Sequence, residues 1–105
     1  MEIYCEKFVK YYLSAIRAII AKLLLEKYDL TQNEVAKKMK TTQPAISHYI
    51  REVRGKKVKE IENNEVVIKK INEFVEMLYN KELSEEEFQK FFCEICKLIL
   101  GDKTC

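Results

Sequence analysis

Leu13, Ile16, Ile20, Leu23 and Leu24 recur at the three-and-four spacing of a buried helical stripe, and they predict a first helix over residues 8–28. Arg17, Lys22 and Glu26 fall on its other side. Asp29, Leu30 and Thr31 break the pattern, and Thr31 with Glu34 three residues later forms a capping box that opens a second helix over 32–39. Val35, Ala36 and Met39 face its inner side. Lys40, Thr41 and Thr42 make a turn, Thr42 caps a third helix over 43–53, and Pro44 sits in its first turn, where a missing N–H costs nothing. The inner side of this helix is Ala45, Ile46, Tyr49 and Ile50, and Gly55 is its expected stop, followed by Lys56 and Lys57 as a short basic connector. A fourth helix is predicted over 64–78 from Val67, Ile68, Ile71, Val75 and Leu78. After a loop at 80–83, Ser84 and Glu87 repeat the capping box and open a fifth helix over 85–100, ended by Gly101.

Composition agrees with the pattern. Lys, Glu, Leu, Ala and Ile dominate, while two glycines and one proline in 105 residues leave little for hairpin turns or phosphate-cradling loops. The expected fold is all-α, with five helices: residues 1–57 as a core and 58–105 as a C-terminal helical extension, a helical pair for packing and dimerisation. The length allows one compact domain. The overall charge of +2 conceals an uneven distribution. Residues 31–59 carry eight basic and two acidic side chains, whereas residues 60–105 carry six basic and eleven acidic ones. A basic middle beside an acidic end fits a nucleic-acid face with a non-binding tail, and a Lys-rich solvated surface would give the same count.

A reader of double-stranded DNA needs one helix that enters the major groove with short polar side chains, and a preceding helix that sets its angle. Residues 30–54 have this form. Leu30, Val35, Ala36, Met39, Ala45, Ile46 and Ile50 make the apolar side, with Ala36 small where the helices cross. Gln43, Pro44, Ser47, His48 and Arg51 point outward. Gln43 can pair bidentately with adenine, Ser47 and His48 can reach base edges or phosphate, and Pro44 can meet a thymine methyl. Phosphate contacts are expected from Thr31, Gln32, Arg51, Arg54, Lys56 and Lys57. An amphipathic helical hairpin serving as a protein-interaction module is the alternative.

The run Leu30-Thr31-Gln32, Ala36, Met39, Thr42-Gln43, Ile46-Ser47 and Tyr49 resembles the helix-turn-helix of the Cro/lambda-repressor-like (XRE) superfamily. That resemblance implies a five-helix lambda-repressor-like DNA-binding domain with residues 1–57 as its DNA-binding core, that Gln32 holds a phosphate and buttresses Gln43, and that Thr42, Gln43, Ser47 and His48 face the DNA. One departure is Lys40, which stands in the turn where the superfamily usually has glycine. Such readers usually act as dimers on half-sites about 34 Å apart, and the apolar faces of the last two helices are expected to pair across a two-fold axis.

The four cysteines admit two readings. Cys93 and Cys96 share one face of the fifth helix, and with Cys5 and Cys105 they match the ligand count of a zinc site or an iron–sulfur cluster. Cys93 and Cys96 among Phe91, Phe92, Ile95 and Leu98 also fit a plain core. The chain further resembles a family of short archaeal predicted transcriptional regulators, through Cys5-Glu6, Ser14-Ala15-Ile16-Arg17-Ala18, residues 30–54, Cys93-Glu94-Ile95-Cys96 and Cys105. This resemblance implies a thiolate-ligated centre, an iron–sulfur cluster first and zinc second, and from the cysteine spacing such a centre would serve as a sensor whose loss or oxidation shifts DNA affinity. No enzyme is expected, because His48 is the only histidine and no nucleophile is placed beside it. Residues 1–6 lack a basic segment leading into an apolar one, and the longest apolar run is broken by Lys22, so a cytoplasmic protein without signal peptide or membrane span is expected.

Overall fold

The computed structural model describes residues 8–101. The first predicted helix divides into a π-helical turn, Val9–Leu13, and helix α1, Ser14–Glu26, with no break between them. The apolar stripe read from the sequence is only part of what α1 buries. Ala15, Ala18, Ile19 and Ala21 are buried along with Ile16, Ile20 and Leu24, so the helix is enclosed on most of its circumference. The three alanines allow neighbouring helices to approach closely, and α1 is the axis about which the others pack.

Helices α2 (Gln32–Lys38), α3 (Gln43–Glu52), α4 (Lys56–Glu62) and α5 (Glu65–Asn80) all lie against α1, and α6 (Glu85–Leu100) packs on α5. The described residues are therefore all-helical, in the lambda-repressor-like arrangement expected. They hold six α-helices rather than five. The added one, α4, occupies part of the stretch read as connector. Its lysines and glutamates mask the signal, but Val58 and Ile61 lie one turn apart and are buried against the core at 1% and 3% exposure. Gly55 changes role accordingly. Instead of stopping α3 with a left-handed residue, it caps the start of α4 at φ −68°.

Other boundaries follow local chemistry. The Thr31 and Ser84 capping boxes are both formed, and Asn64 caps α5 by accepting from the Val67 N–H at 3.2 Å. Gly101 ends α6 at φ 88°. One apolar core extends from Phe8 to Cys96, and each of its large side chains contributes about 1.5–3 kcal/mol of transfer free energy. Between α5 and α6 the core is aromatic. Phe74 stacks on Phe91 at 3.8 Å and meets the edge of Phe88 at 5.4 Å. Polar ties cross between helices, including Lys22–Glu62 at 3.4 Å, Lys70–Glu94 at 3.6 Å and the Lys38 amine donating to the Tyr79 carbonyl at 3.0 Å. Among the described residues no helix is long and apolar enough to cross a membrane.

Candidate nucleic-acid interface

Two short helices and the turn between them build the site. Thr31 opens α2 by accepting from the Glu34 N–H at 3.1 Å, while the Glu34 carboxylate accepts from the Thr31 N–H at 2.8 Å. That backbone donor, followed by the Thr31 hydroxyl, holds the Glu34 carboxyl below the ordinary carboxylate range. Thr42 opens α3 in the same manner, accepting from the Ala45 N–H at 3.3 Å, with Pro44 in the first turn.

The turn itself is closed by two backbone bonds. The Thr41 N–H donates to the Ala36 carbonyl at 2.9 Å, and the Lys40 N–H donates to the Lys37 carbonyl at 3.2 Å. This is the paired bonding of a Schellman motif, which requires a left-handed residue at its centre. Lys40 supplies it at φ 57°, where glycine is the unstrained choice. The departure noted in the sequence thus leaves the turn geometry intact and stores strain in it.

With the turn fixed, α3 crosses α2 over buried Val35, Ala36 and Ile46. The opposite side of α3 carries Gln43, Pro44, Ser47, His48 and Arg51, spaced to share one helical face. Three polar side chains close a ring at the joint between the helices. The Gln43 amide donates to the Gln32 carbonyl oxygen and, at 3.0 Å, to the Ser47 hydroxyl, and that hydroxyl donates to the same Gln32 oxygen at 3.0 Å. The ring ties the Gln43 amide nitrogen to both of its partners and so fixes the side chain at the joint between the helices.

Residues 20–64 match the family model described as Helix-turn-helix. This segment is an XRE-type helix-turn-helix. The match covers less than half of the chain and contains α2, the strained turn, α3 and α4. No curated protein and no solved structure matches the chain significantly.

Within the helix-turn-helix, Thr31, Thr42, Pro44, His48, Arg51, Arg54 and Lys56 are exposed, while Gln32, Gln43 and Ser47 are half-buried in their ring. His48 is drawn along α3 toward Glu52, its Nε2 lying 2.7 Å from Oε1. Glu52 also accepts from the Ser14 hydroxyl of α1 at 2.9 Å. Sequence reasoning missed this Ser14–Glu52–His48 chain, although the i,i+4 spacing of His48 and Glu52 was a legible sign. Lys57 stands apart from the rest of the expected phosphate contacts. Its amine lies over the Tyr12 ring at 4.6 Å and pairs with Glu60 at 3.3 Å, so it is engaged within the fold.

Two of the four cysteines expected to hold a metal centre, Cys5 and Cys105, lie outside the described residues. Cys93 is half-buried and Cys96 is fully buried, one turn apart on α6. They supply half of a four-thiolate set, and among the described residues no group of three or more metal-ligating side chains gathers.

Proposed function

We propose that this chain is a sequence-specific, double-stranded DNA-binding transcriptional regulator that reads its operator with the outward face of α3. The observation that supports this most is the Gln32–Gln43–Ser47 ring. It orders two glutamine side chains before any ligand arrives, which lowers the entropy lost on binding. Gln43 and Ser47 face base edges, His48 and Pro44 flank them, and Thr31, Gln32, Arg51, Arg54 and Lys56 meet phosphates on either side. Held by the ring, the Gln43 amide is placed to pair with the major-groove edge of adenine.

The homodimer belongs to the same proposal. Val66 and Met77 on α5 and Leu98 on α6 stay exposed, at 62%, 44% and 44%, on helices outside the helix-turn-helix match. Pairing there would set two copies of α3 at one half-site spacing. For the input, the proposal is a thiolate centre on Cys5, Cys93, Cys96 and Cys105, an iron–sulfur cluster before zinc, supported by the one-turn spacing of Cys93 and Cys96. Anaerobic purification with absorbance and metal analysis tests it, and a colourless, metal-free protein with full DNA affinity overturns it.

Fluorescence anisotropy of the full chain with mixed duplex DNA at two salt concentrations tests the main reading. Binding that weakens steeply with salt is expected, because phosphate contacts release counterions. Absence of binding at low salt overturns it and leaves the helical protein-interaction module in its place. Sedimentation of the free protein tests the dimer.

A further inference from the structure

Behind the helix-turn-helix, on the side away from the outward face of α3, lies a cavity of about 270 Å³ that DNA reading does not use. Three separate parts of the fold wall it: Arg17 of α1, the Met39–Thr41 turn with Tyr49 of α3, and the first half of α6. We propose that this cavity binds a small carboxylate ligand with an aromatic or apolar body.

The walls define that chemistry. Phe88, Phe92 and Tyr49 supply an aromatic lining, and the Arg17 guanidinium lies over the Phe92 ring at 5.6 Å. This stacking orients the guanidinium while leaving its N–H edge available to a planar anion. Arg17 is half-buried, and among the described residues no carboxylate lies within ion-pairing distance of it. The guanidinium therefore gives up part of its hydration with only the Phe92 ring to offset it, which leaves room for an anion. Lys40 also lines the cavity, and among the described residues Glu85 is its single carboxylate, so the balance of the described lining is positive. The volume falls just below the ~300–1,000 Å³ typical of drug-sized ligands, so the occupant is metabolite-sized. A bidentate carboxylate on Arg17 with its body among Phe88, Phe92 and Tyr49 satisfies each of these features.

The position has a consequence for output. The wall includes the left-handed Lys40 and its neighbours, which set how α3 crosses α2. An occupant that favours one arrangement of this turn changes DNA affinity, and DNA changes the affinity for the occupant by the same factor. Ligand binding itself does not depend on the DNA-binding reading, so the two can fail separately.

The test uses the isotopically labelled full chain, titrated by NMR and calorimetry with indole-3-acetate and 3-phenylpropionate. Indole-3-ethanol serves as the uncharged counterpart of the first. Saturable binding of at least one acid is expected, with amide shifts centred on Arg17, Thr41 and Phe92. Indole-3-ethanol should bind about tenfold more weakly or worse, as should indole-3-acetate to R17Q, since each comparison removes one side of a charge-assisted pair. R17K, which keeps the charge and loses the fork, should retain an intermediate affinity and also guards against a folding defect in R17Q. The proposal is overturned if neither acid saturates the site at millimolar concentration. Equal binding of the acid and the alcohol, full affinity in R17Q, or shifts that map to another surface also overturn it.

Discussion

Lys40 is the residue at which the reading of this turn can be tested most directly. It holds φ 57° in a Schellman turn whose two backbone bonds, Thr41 to Ala36 and Lys40 to Lys37, need that conformation. A left-handed backbone costs a residue with a Cβ about 1–2 kcal/mol. Glycine removes that cost but loses about 0.5–1 kcal/mol through the greater freedom of the unfolded chain. The net expectation for Lys40→Gly is a gain of about 0.5–1 kcal/mol, which for a domain of this size raises Tm by about 2–8 °C. Lys40→Ala is the control, because it deletes the charge and the side chain while keeping the strain. It should change stability by less than about 0.5 kcal/mol, as surface substitutions usually do. Thermal and urea unfolding of the three proteins, followed by far-UV circular dichroism, measures both steps. If Lys40→Gly is less stable than Lys40→Ala, the turn does not carry the strain assigned to it, and the geometry of the α2–α3 joint must be rebuilt.

The other expectations concern the reading face, the core and the caps. Gln43→Ala should lower discrimination between the preferred and the substituted base by about 1–3 kcal/mol, whereas Arg54→Ala should weaken binding evenly across sequences and reduce its salt dependence. Competition anisotropy on an operator and its single-base variants separates the two, and an even loss in Gln43→Ala would remove that residue from base reading. Ile46 is fully buried where α3 meets α1 and α2, so Ile46→Ala should cost about 2–5 kcal/mol by chemical denaturation and Ile46→Val about 0.5–1.5 kcal/mol. A cost for Ile46→Ala in the range of a surface change would contradict that placement. Glu34 and Glu87 both have carboxyl groups held below their ordinary range, chiefly by the backbone N–H groups of Thr31 and Ser84. A lowered pKa in the folded state stabilises it above the ordinary carboxylate range, and this contribution is lost as pH falls through the lowered values. The double variant Glu34→Gln, Glu87→Gln keeps both capping boxes in amide form and should show a shallower loss of stability on acidification. Identical acid limbs in the two proteins would refute this origin.

How much of the site was legible beforehand can be judged at particular positions. The caps at Thr31, Thr42 and Ser84, the inward placement of Val35, Ala36 and Ile46, and the outward set on α3 all depend on neighbours three or four residues apart, and they were readable in order along the chain. The special place of Lys40 was legible only through the family resemblance, which has glycine there, and its left-handed backbone shows only once the two backbone bonds of the turn are seen. α4 was not legible, because seven residues with two apolar positions give a weak period, and it is burial of Val58 and Ile61 against the core that stabilises it. The enclosure of α1 on most of its circumference was also hidden. An alanine reads as neutral on a helix surface, and only the approach of four other helices makes Ala15, Ala18 and Ala21 interior.

The sequence by itself determined the helical class, the two-helix motif with its caps and turn, and the polar face that α3 presents. These follow from short-range sterics and hydrogen bonding, which act between residues a few positions apart. Tertiary structure alone decided which polar side chains meet. Gln32 reaches Ser47 and Ser14 reaches Glu52 because α3 lies across α2 and α1, and Lys57 is drawn to Tyr12 because α4 folds back beside the π-helical turn. The cavity belongs to the same class. Arg17, assigned to the outer side of its helix by periodicity, meets Phe92 only once α6 has packed on α5, which places aromatic side chains from the end of the chain behind the turn near its middle.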